Sequence, residues 1–272
     1  MSRISQCFEK LKADGQTALI PYITAGDPEP WVTVPMLHAM VDSGANLLEL
    51  GVPFSDPMSD GPVIQKACER ALKNEMSLQH VLNMVAQFRE KDTETPVILM
   101  GYANPLEAMG YQQFAEQAQK AGVDGVLTVD LPPEESDTFL PLMKRHGIDT
   151  IFLVAPTTTT ERIKMIAEHA SGFIYYVSLK GVTGSAAIDA SQIGEKLDLI
   201  RQYSDLPLGV GFGIRDGRSA ATVSEVADAV VVGSTLVNCI AEHEKTPEKL
   251  PAVVASLVAE MRHAINARDM AK

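Results

Sequence analysis

The sequence predicts an α/β chain folded as a single closed parallel (β/α)8 barrel over residues 1–272. Three observations carry that expectation. Eight short apolar segments recur at intervals of roughly 25 to 30 residues, each followed by a stretch with helical spacing of apolar side chains. The segments are apolar at successive positions, as parallel strands buried on both faces must be. The length of 272 residues suits such a barrel, which commonly uses about 250 residues as one domain, and no linker or composition shift divides it. The competing open doubly wound sheet would place a Gly-x-Gly-x-x-Gly turn after its first strand. Tyr22-Ile23-Thr24-Ala25-Gly26 is not one.

Ile4 to Ala13 reads as an extra amphipathic helix before the first strand, Ala18 to Ile23. Thr24 to Pro28 is a loop by composition, and Trp31 to Asp42 has helical spacing. The second strand, Leu47 to Leu50, runs into a long loop broken by Pro53 and Pro57. Helical patterns resume over Val63 to Leu72 and Leu78 to Phe88. Pro96 to Met100 is the third strand, followed by a turn through Gly101 to Pro105 and a helix over Tyr111 to Ala121. Asp124 to Val129 is the fourth, and Asp130 to Glu135 is expected to cap and start a helix running to Arg145. Thr150 to Val154 precedes a helix over Thr160 to His169, capped by Thr159 or Thr160. Phe173 to Val177 leads into a long loop, Ser178 to Asp189, and a helix ending near Tyr203. Strands Leu206 to Val210 and Asp228 to Val232 flank a short helix, Arg218 to Ser224, and one or two helices close the chain near Arg268.

Hydrophobic residues at 46% and charged residues at 21% are ordinary for a soluble globular protein. A formal charge of −12 without a basic cluster argues against nucleic acid or an anionic membrane surface as partner. An anionic small substrate stays open, because backbone amides bind phosphate without basic side chains. Met1 to Asp14 has no apolar signal-peptide core, and the most apolar late stretch, Ala227 to Ala241, is too short to span a bilayer. The three cysteines, Cys7, Cys68 and Cys239, lie far apart and form no cluster with histidine. Neither a disulfide frame nor a metal site is expected, and the reducing cytoplasm is the expected location. All six histidines fall on predicted helices or their ends.

Barrels of this kind carry their active sites at the C-terminal ends of the strands. At those ends stand Glu49, Asp60, Tyr102, Asn104, Asp130, Tyr175 and the glycines of the last two loops. Glu49 interrupts an apolar strand, where a carboxylate is expensive to bury unless it is paired or useful. Taken alone, that stretch fits two functional acids and, equally, a satisfied core acid at 49 with a turn residue or helix cap at 60. Gly211 and Gly213 follow strand seven, and Gly233-Ser234 follows strand eight. Those two loops commonly build a phosphate site, where glycine lets the main chain approach closely. Lys180 to Ser185 lies in the long loop after strand six, the place for a lid with Gly181 and Gly184 as hinges.

Pro21 to Pro28, Glu49 to Pro57 with Asp60-Gly61-Pro62, Gly181 to Gly184 and Gly211 to Ile214 together resemble the tryptophan synthase alpha subunit, in order and over nearly the whole chain. That resemblance implies a TIM-barrel lyase of tryptophan biosynthesis. Its reaction is the retro-aldol cleavage of indole-3-glycerol phosphate to indole and glyceraldehyde 3-phosphate, without metal or organic cofactor. It implies Glu49 as the acid/base group and Asp60 as the acid on the indole N–H, with Asp60 ionised on a solvated loop. It implies Tyr22, Met100, Leu127, Tyr175 and Phe212 around the ring. Gly184, Gly211, Gly213, Gly233 and Ser234 would hold the phosphate end, and Thr183 would meet Asp60 on closure. A pyridoxal-phosphate beta subunit, in an alpha2-beta2 complex, would face Pro53, Asp56, Pro57 and Asn104. Tyr22 stands where phenylalanine is also common, Met100 where some members have leucine, Ala103 where a second aromatic is frequent, and Leu179-Lys180 replaces an arginine-containing pair. The residues leave room for three rivals: another phosphate-binding barrel enzyme, a subunit acting mainly to bind and activate its partner, and a stand-alone indole-releasing lyase. The first would call for a lysine or another acid at different strand ends, and no lysine lies on a predicted strand.

Overall fold

In the computed structural model, which describes residues 2–177, 190–211 and 213–271, eight parallel strands close in chain order with the eighth back beside the first. They are β1 Ala18–Thr24, β2 Leu48–Gly51, β3 Val97–Gly101, β4 Gly125–Thr128, β5 Asp149–Val154, β6 Ile174–Val177, β7 Leu208–Gly211 and β8 Ala229–Val232. Around them run α1 Arg3–Ala13, α2 Pro30–Asp42, α3 Pro62–Leu72, α4 Leu78–Arg89, α5 Ala103–Met109, α6 Tyr111–Ala121 and α7 Phe139–Arg145. The ring is completed by α8 Thr160–His169, α9 Ala190–Arg201, α10 Gly217–Ser224, α11 Ser234–Glu242 and α12 Leu250–Asp269.

Side chains on a strand alternate between its faces, and that alternation sorts the core into two shells. Leu19, Ile23, Leu48, Leu50 and Leu99 point outward and pack with the helices in one large apolar cluster. Ala18, Ile20, Leu47, Ile98, Leu127, Ile151 and Phe173 point inward and fill the barrel. The amphipathic face of α1 joins this inner set through Ile4, Phe8 and Leu11, so the extra helix plugs the N-terminal end. The rings of Phe8 and Phe173 stand 5.9 Å apart there. Burying each such side chain contributes roughly 1.5–3 kcal/mol.

Asp124 ties the same end together just before β4. Its carboxylate takes Arg89 at 2.6 Å, Arg3 at 2.8 Å and the Val97 backbone N–H at 2.8 Å, and it is 4% exposed. One buried acid thus joins α1, α4 and the start of β3.

Two expectations change at the other end. The helix expected from Asp130 to Arg145 is broken into a single 3-10 turn, Pro133–Glu135, and α7. Asp130 does not cap it; its Oδ1 accepts the Ala103 N–H at 2.7 Å. That distant cap starts α5 where the sequence suggests only a turn, with Pro105 tolerated in the first helical turn. Thr159 caps α8 as expected. The predicted lid segment 178–189 lies outside the described residues. Among the described residues no helix is long and apolar enough to cross a membrane, and no cluster of His, Cys, Asp and Glu could hold a metal ion.

Replacing Asp124 with alanine leaves the buried Val97 N–H and Arg89 Nη2 without the carboxylate that both bind. The expected loss is roughly 3–5 kcal/mol of folding stability in urea titration; a loss below about 1 kcal/mol would mean the knot carries no strain of the fold.

Candidate active site

Glu49 lies on the inner face of β2, in register with Tyr22 of β1 and Ile98 of β3. It is only 2% exposed, and its Oε1 has no hydrogen-bond partner among the described residues. An unsatisfied buried acceptor costs about 1–3 kcal/mol. Burial, and secondarily the nearby charge of Asp60, pushes the Glu49 carboxyl up to about 8. It is therefore a proton carrier near neutrality, aimed into the mouth of the barrel.

Asp60 reaches the same mouth from the loop after β2. That loop folds back through backbone bonds from Met58 to Asp56 at 2.8 Å and from Asp60 to Pro57 at 3.0 Å. Tyr102, the first residue after β3, fixes its tip. The Tyr102 hydroxyl donates to Asp60 Oδ2 at 2.9 Å and accepts the Ser59 N–H at 3.1 Å. Its ring packs 5.4 Å from Phe54. The loop is thus not simply solvated: Asp60 is half-buried. Burial raises its carboxyl above the usual range, while the Tyr102 hydrogen bond opposes the rise.

An apolar wall adjoins both acids through Tyr22. Tyr22, Ala67 and Val237 form a small cluster with Val63, Ile64 and Met100 against it, joining β1, β3, α3 and α11. Met100 also touches the inner barrel set, which includes Leu127 and Tyr175. Two tyrosines lean over neighbouring glycines: a side chain at Gly51 would overlap the Tyr22 hydroxyl, and one at Gly211 the Tyr175 hydroxyl. Glycine at those two rim positions is what lets rings of this size lie across the barrel mouth. Tyr22 also pairs its hydroxyl with Thr24 Oγ1 at 3.2 Å. Desolvation holds both phenols well above their usual range, so they stay neutral.

The remaining side of the mouth is main chain. The loop after β7 turns at Gly213, and α11 starts directly after β8 with Gly233 as its cap residue and Ser234 as its first helical residue. Thr235 Oγ1 donates to the Ile214 carbonyl at 2.8 Å, which binds the two loops into one unit. No side chain caps α11, whereas Asp216 and Ser219 form a full capping box on α10. Of these two neighbouring helices, α11 is the one whose start has no side-chain cap among the described residues, the arrangement that suits an anion. A Cβ at Gly233 would stand 3.6 Å from Tyr22, so this anion site adjoins the apolar wall.

The strand ends therefore bring together Glu49, Asp60, Tyr22, Met100, Leu127, Tyr175, Gly211, Gly213, Gly233 and Ser234. Thr183, Gly184 and Phe212 lie outside the described residues. Pro53 is buried within the chain, so it offers no surface to a partner; Asp56 and Asn104 are exposed and Pro57 half-buried. Met58 beside them is 82% exposed. Sequence reasoning placed Tyr102 at the catalytic rim without a specific task and passed over the α3 side chains Val63, Ile64 and Ala67. The signals were present: an aromatic immediately after a strand, and apolar spacing on the helix that follows Asp60. A groove of about 1050 Å3 opens at the opposite end of the barrel, beside α1, and holds none of these residues.

Known proteins are similar to this chain in sequence and fold over nearly its whole length. The family profile described as tryptophan synthase alpha chain matches residues 8–266. The tryptophan synthase alpha chain of Thioalkalivibrio sulfidiphilus is 64% identical over 266 residues, covering 98% of this chain and 100% of that one. The crystal structure of tryptophan synthase subunit alpha from Legionella pneumophila superposes with a TM-score of 0.92 at 49% identity, over 98% of this chain and 99% of that one. A chain from the tryptophan synthase complex of Pyrococcus furiosus superposes at 0.80 with 37% identity, over 90% of this chain and 98% of that one. By sequence over nearly its whole length and by fold, this chain belongs to the tryptophan synthase alpha chain family.

Proposed function

We infer that this chain is a lyase that cleaves indole-3-glycerol phosphate to indole and glyceraldehyde 3-phosphate, the alpha reaction of tryptophan biosynthesis. The observation that carries the residue assignment is the buried Oε1 of Glu49, without a partner among the described residues, near the charge of Asp60 and an apolar wall that the uncapped start of α11 adjoins. Phosphate is held by amides of the loops after β7 and β8 and by Ser234. The flat indole lies against Tyr22, Met100, Leu127 and Tyr175.

The proton transfers balance on one carboxyl. Protonated Glu49 gives its proton to C3 of the indole, which places positive charge on the ring nitrogen. Asp60, ionised and held by Tyr102, stabilises that charge. Glu49, now a carboxylate, takes the proton of the side-chain hydroxyl on the carbon being released. The C3–carbon bond breaks, its electron pair restores the aromatic ring, and an aldehyde leaves. Glu49 ends protonated, as it began. Glu49 alone carries every proton the cleavage needs, and no metal or organic cofactor enters this scheme.

The exposed turn of Asp56, Pro57 and Met58, with Asn104 on α5, is the proposed docking surface for a beta subunit, which would hold the pyridoxal phosphate of the complex. An exposed methionine at its tip is the kind of apolar anchor such contacts use.

Indole release from indole-3-glycerol phosphate is measured on the purified chain, with and without a beta subunit. Release under either condition is the expected result, and none under both would sink the assignment. Strong acceleration by the partner would distinguish a coupled subunit from a stand-alone lyase. Glu49→Gln is expected to lower kcat by about 10³-fold with substrate binding largely kept, and Asp60→Asn to lower kcat less. Normal turnover in Glu49→Gln would overturn the mechanism.

The raised Glu49 value sets two pH dependences. The scheme begins with protonated Glu49, so kcat/KM should fall as pH rises through about 8. Folding lifts this carboxyl from an ordinary 4.5 to about 8, so the folded chain holds the extra proton between those values. Its stability contribution is complete below the unfolded value and lost as pH rises through the folded one. Urea titrations at pH 4.5 and 9 should show wild type losing stability relative to Glu49→Gln across that window, on the order of a few kcal/mol. A gap that does not change with pH would show that Glu49 is not desolvated in solution.

A further inference from the structure

One buried ion pair stands behind the site and is used by none of the steps above. Asp27, in the loop after β1, is fully buried and receives a two-pronged contact from Arg70 of α3, Nε to Oδ1 at 2.6 Å and Nη2 to Oδ2 at 2.8 Å. Asn74, just past the end of α3, donates to the Pro28 carbonyl in the same loop at 2.8 Å. The loop itself is pinned to the barrel: the Ala25 N–H bonds to the Gly51 carbonyl at 2.9 Å, and Thr33 of α2 accepts the Gly26 N–H at 3.0 Å. The C-terminal half of α3 is therefore fastened to the ends of β1 and β2.

The other half of α3 holds the catalytic arm. Gln65 donates to the Asp60 carbonyl at 2.8 Å. Cys68 lies beside the Phe54 backbone. Ala67, Val63 and Ile64 form part of the apolar wall beside Tyr22 and Met100. An eleven-residue helix is a stiff rod of about 16 Å, so its angle at Arg70 sets where its first turn stands. Asp60 lies two residues before that first turn. A buried ion pair is a poor source of stability, because desolvating two charges offsets most of their attraction. What a two-pronged arginine contact gives well is a fixed orientation.

We propose that the Asp27–Arg70 pair is a positioning device: it sets the angle of α3, and through α3 the place of Asp60 and of the apolar wall, without touching substrate. The proposal rests on the lyase reading of the site. A displacement on the order of 1 Å at a reacting group costs about 10²-fold in rate, so loosening the pair should cost activity through Asp60.

The test is a double-mutant cycle on indole release, with Asp27→Asn and Arg70→Lys each made in wild type and in Asp60→Asn. The pair variants are expected to lower kcat on the order of 10- to 100-fold in the wild-type background, with KM moving less. In the Asp60→Asn background the same changes should lower it less than about 3-fold, because the group they position is already lost. Equal losses in both backgrounds would overturn the proposal and leave the pair purely structural. Arg70→Lys retains the charge and serves if Asp27→Asn does not fold. Amide hydrogen exchange supplies a second readout independent of catalysis. The Phe54, Ser59 and Asp60 amides should exchange faster in Arg70→Lys while those of β4 and β5 do not, and unchanged exchange at the arm would overturn the proposal. Absence of indole release by wild type would defeat the lyase reading alone, with the exchange result still deciding whether the pair positions the arm.

Discussion

Glu49 hangs inside a closed barrel with one oxygen unpartnered and little water to reach it. Strand alternation leaves it no alternative, since outward placement would have driven it into the apolar shell packed beneath the helices. A group so placed folds most easily as the neutral acid, which is also the form that can give up a proton. The rest of the rim answers to that constraint. Among the described residues, Asp60 is the one charged group that acts on Glu49, and it raises the Glu49 carboxyl further.

The barrel mouth is assembled from loops that are tied to one another more than to the sheet. Thr235 joins the loops after β7 and β8, and Tyr102 joins β3 to the tip of the loop after β2. Asp130, after β4, caps α5 and so fixes the segment that begins right after Tyr102. Neighbouring strand ends thus hand geometry around the rim by side-chain to backbone bonds. The N-terminal end does the opposite task. There, Asp124 gathers Arg3, Arg89 and the Val97 N–H, and α1 closes the floor. Stability and chemistry are kept at opposite ends of the strands.

The parts of this arrangement that could be read from the sequence are those with short-range signals. Apolar runs at a steady interval fixed eight strands in order, and the extra helix before the first was visible from its own periodicity. Glu49 stood out because a charge in an apolar strand has few explanations. What stayed hidden depends on partners distant in the chain. Asp130 reads as the cap of its own helix, yet its carboxylate is engaged by Ala103, twenty-seven residues earlier. Pro53 reads as an exposed loop residue beside Pro57, but the loop folds back and buries it. Tyr102 gave no local hint of its double hydrogen bond, because Ser59 and Asp60 meet it only once the loop after β2 has closed over β3.

The two carboxyls end up less different in burial than their sequence settings suggest. Asp60 is half-buried and, like Glu49, shifted upward by desolvation. What separates them is hydrogen bonding. Asp60 receives a phenol proton from Tyr102, which favours its charged form, while Glu49 Oε1 receives none. A donor is the more dependable device for such a division, because closing the site over a ligand removes water from both acids alike and would raise both together. In the proposed scheme one acid remains a fixed negative charge for the ring nitrogen while the other passes a proton in and takes one back.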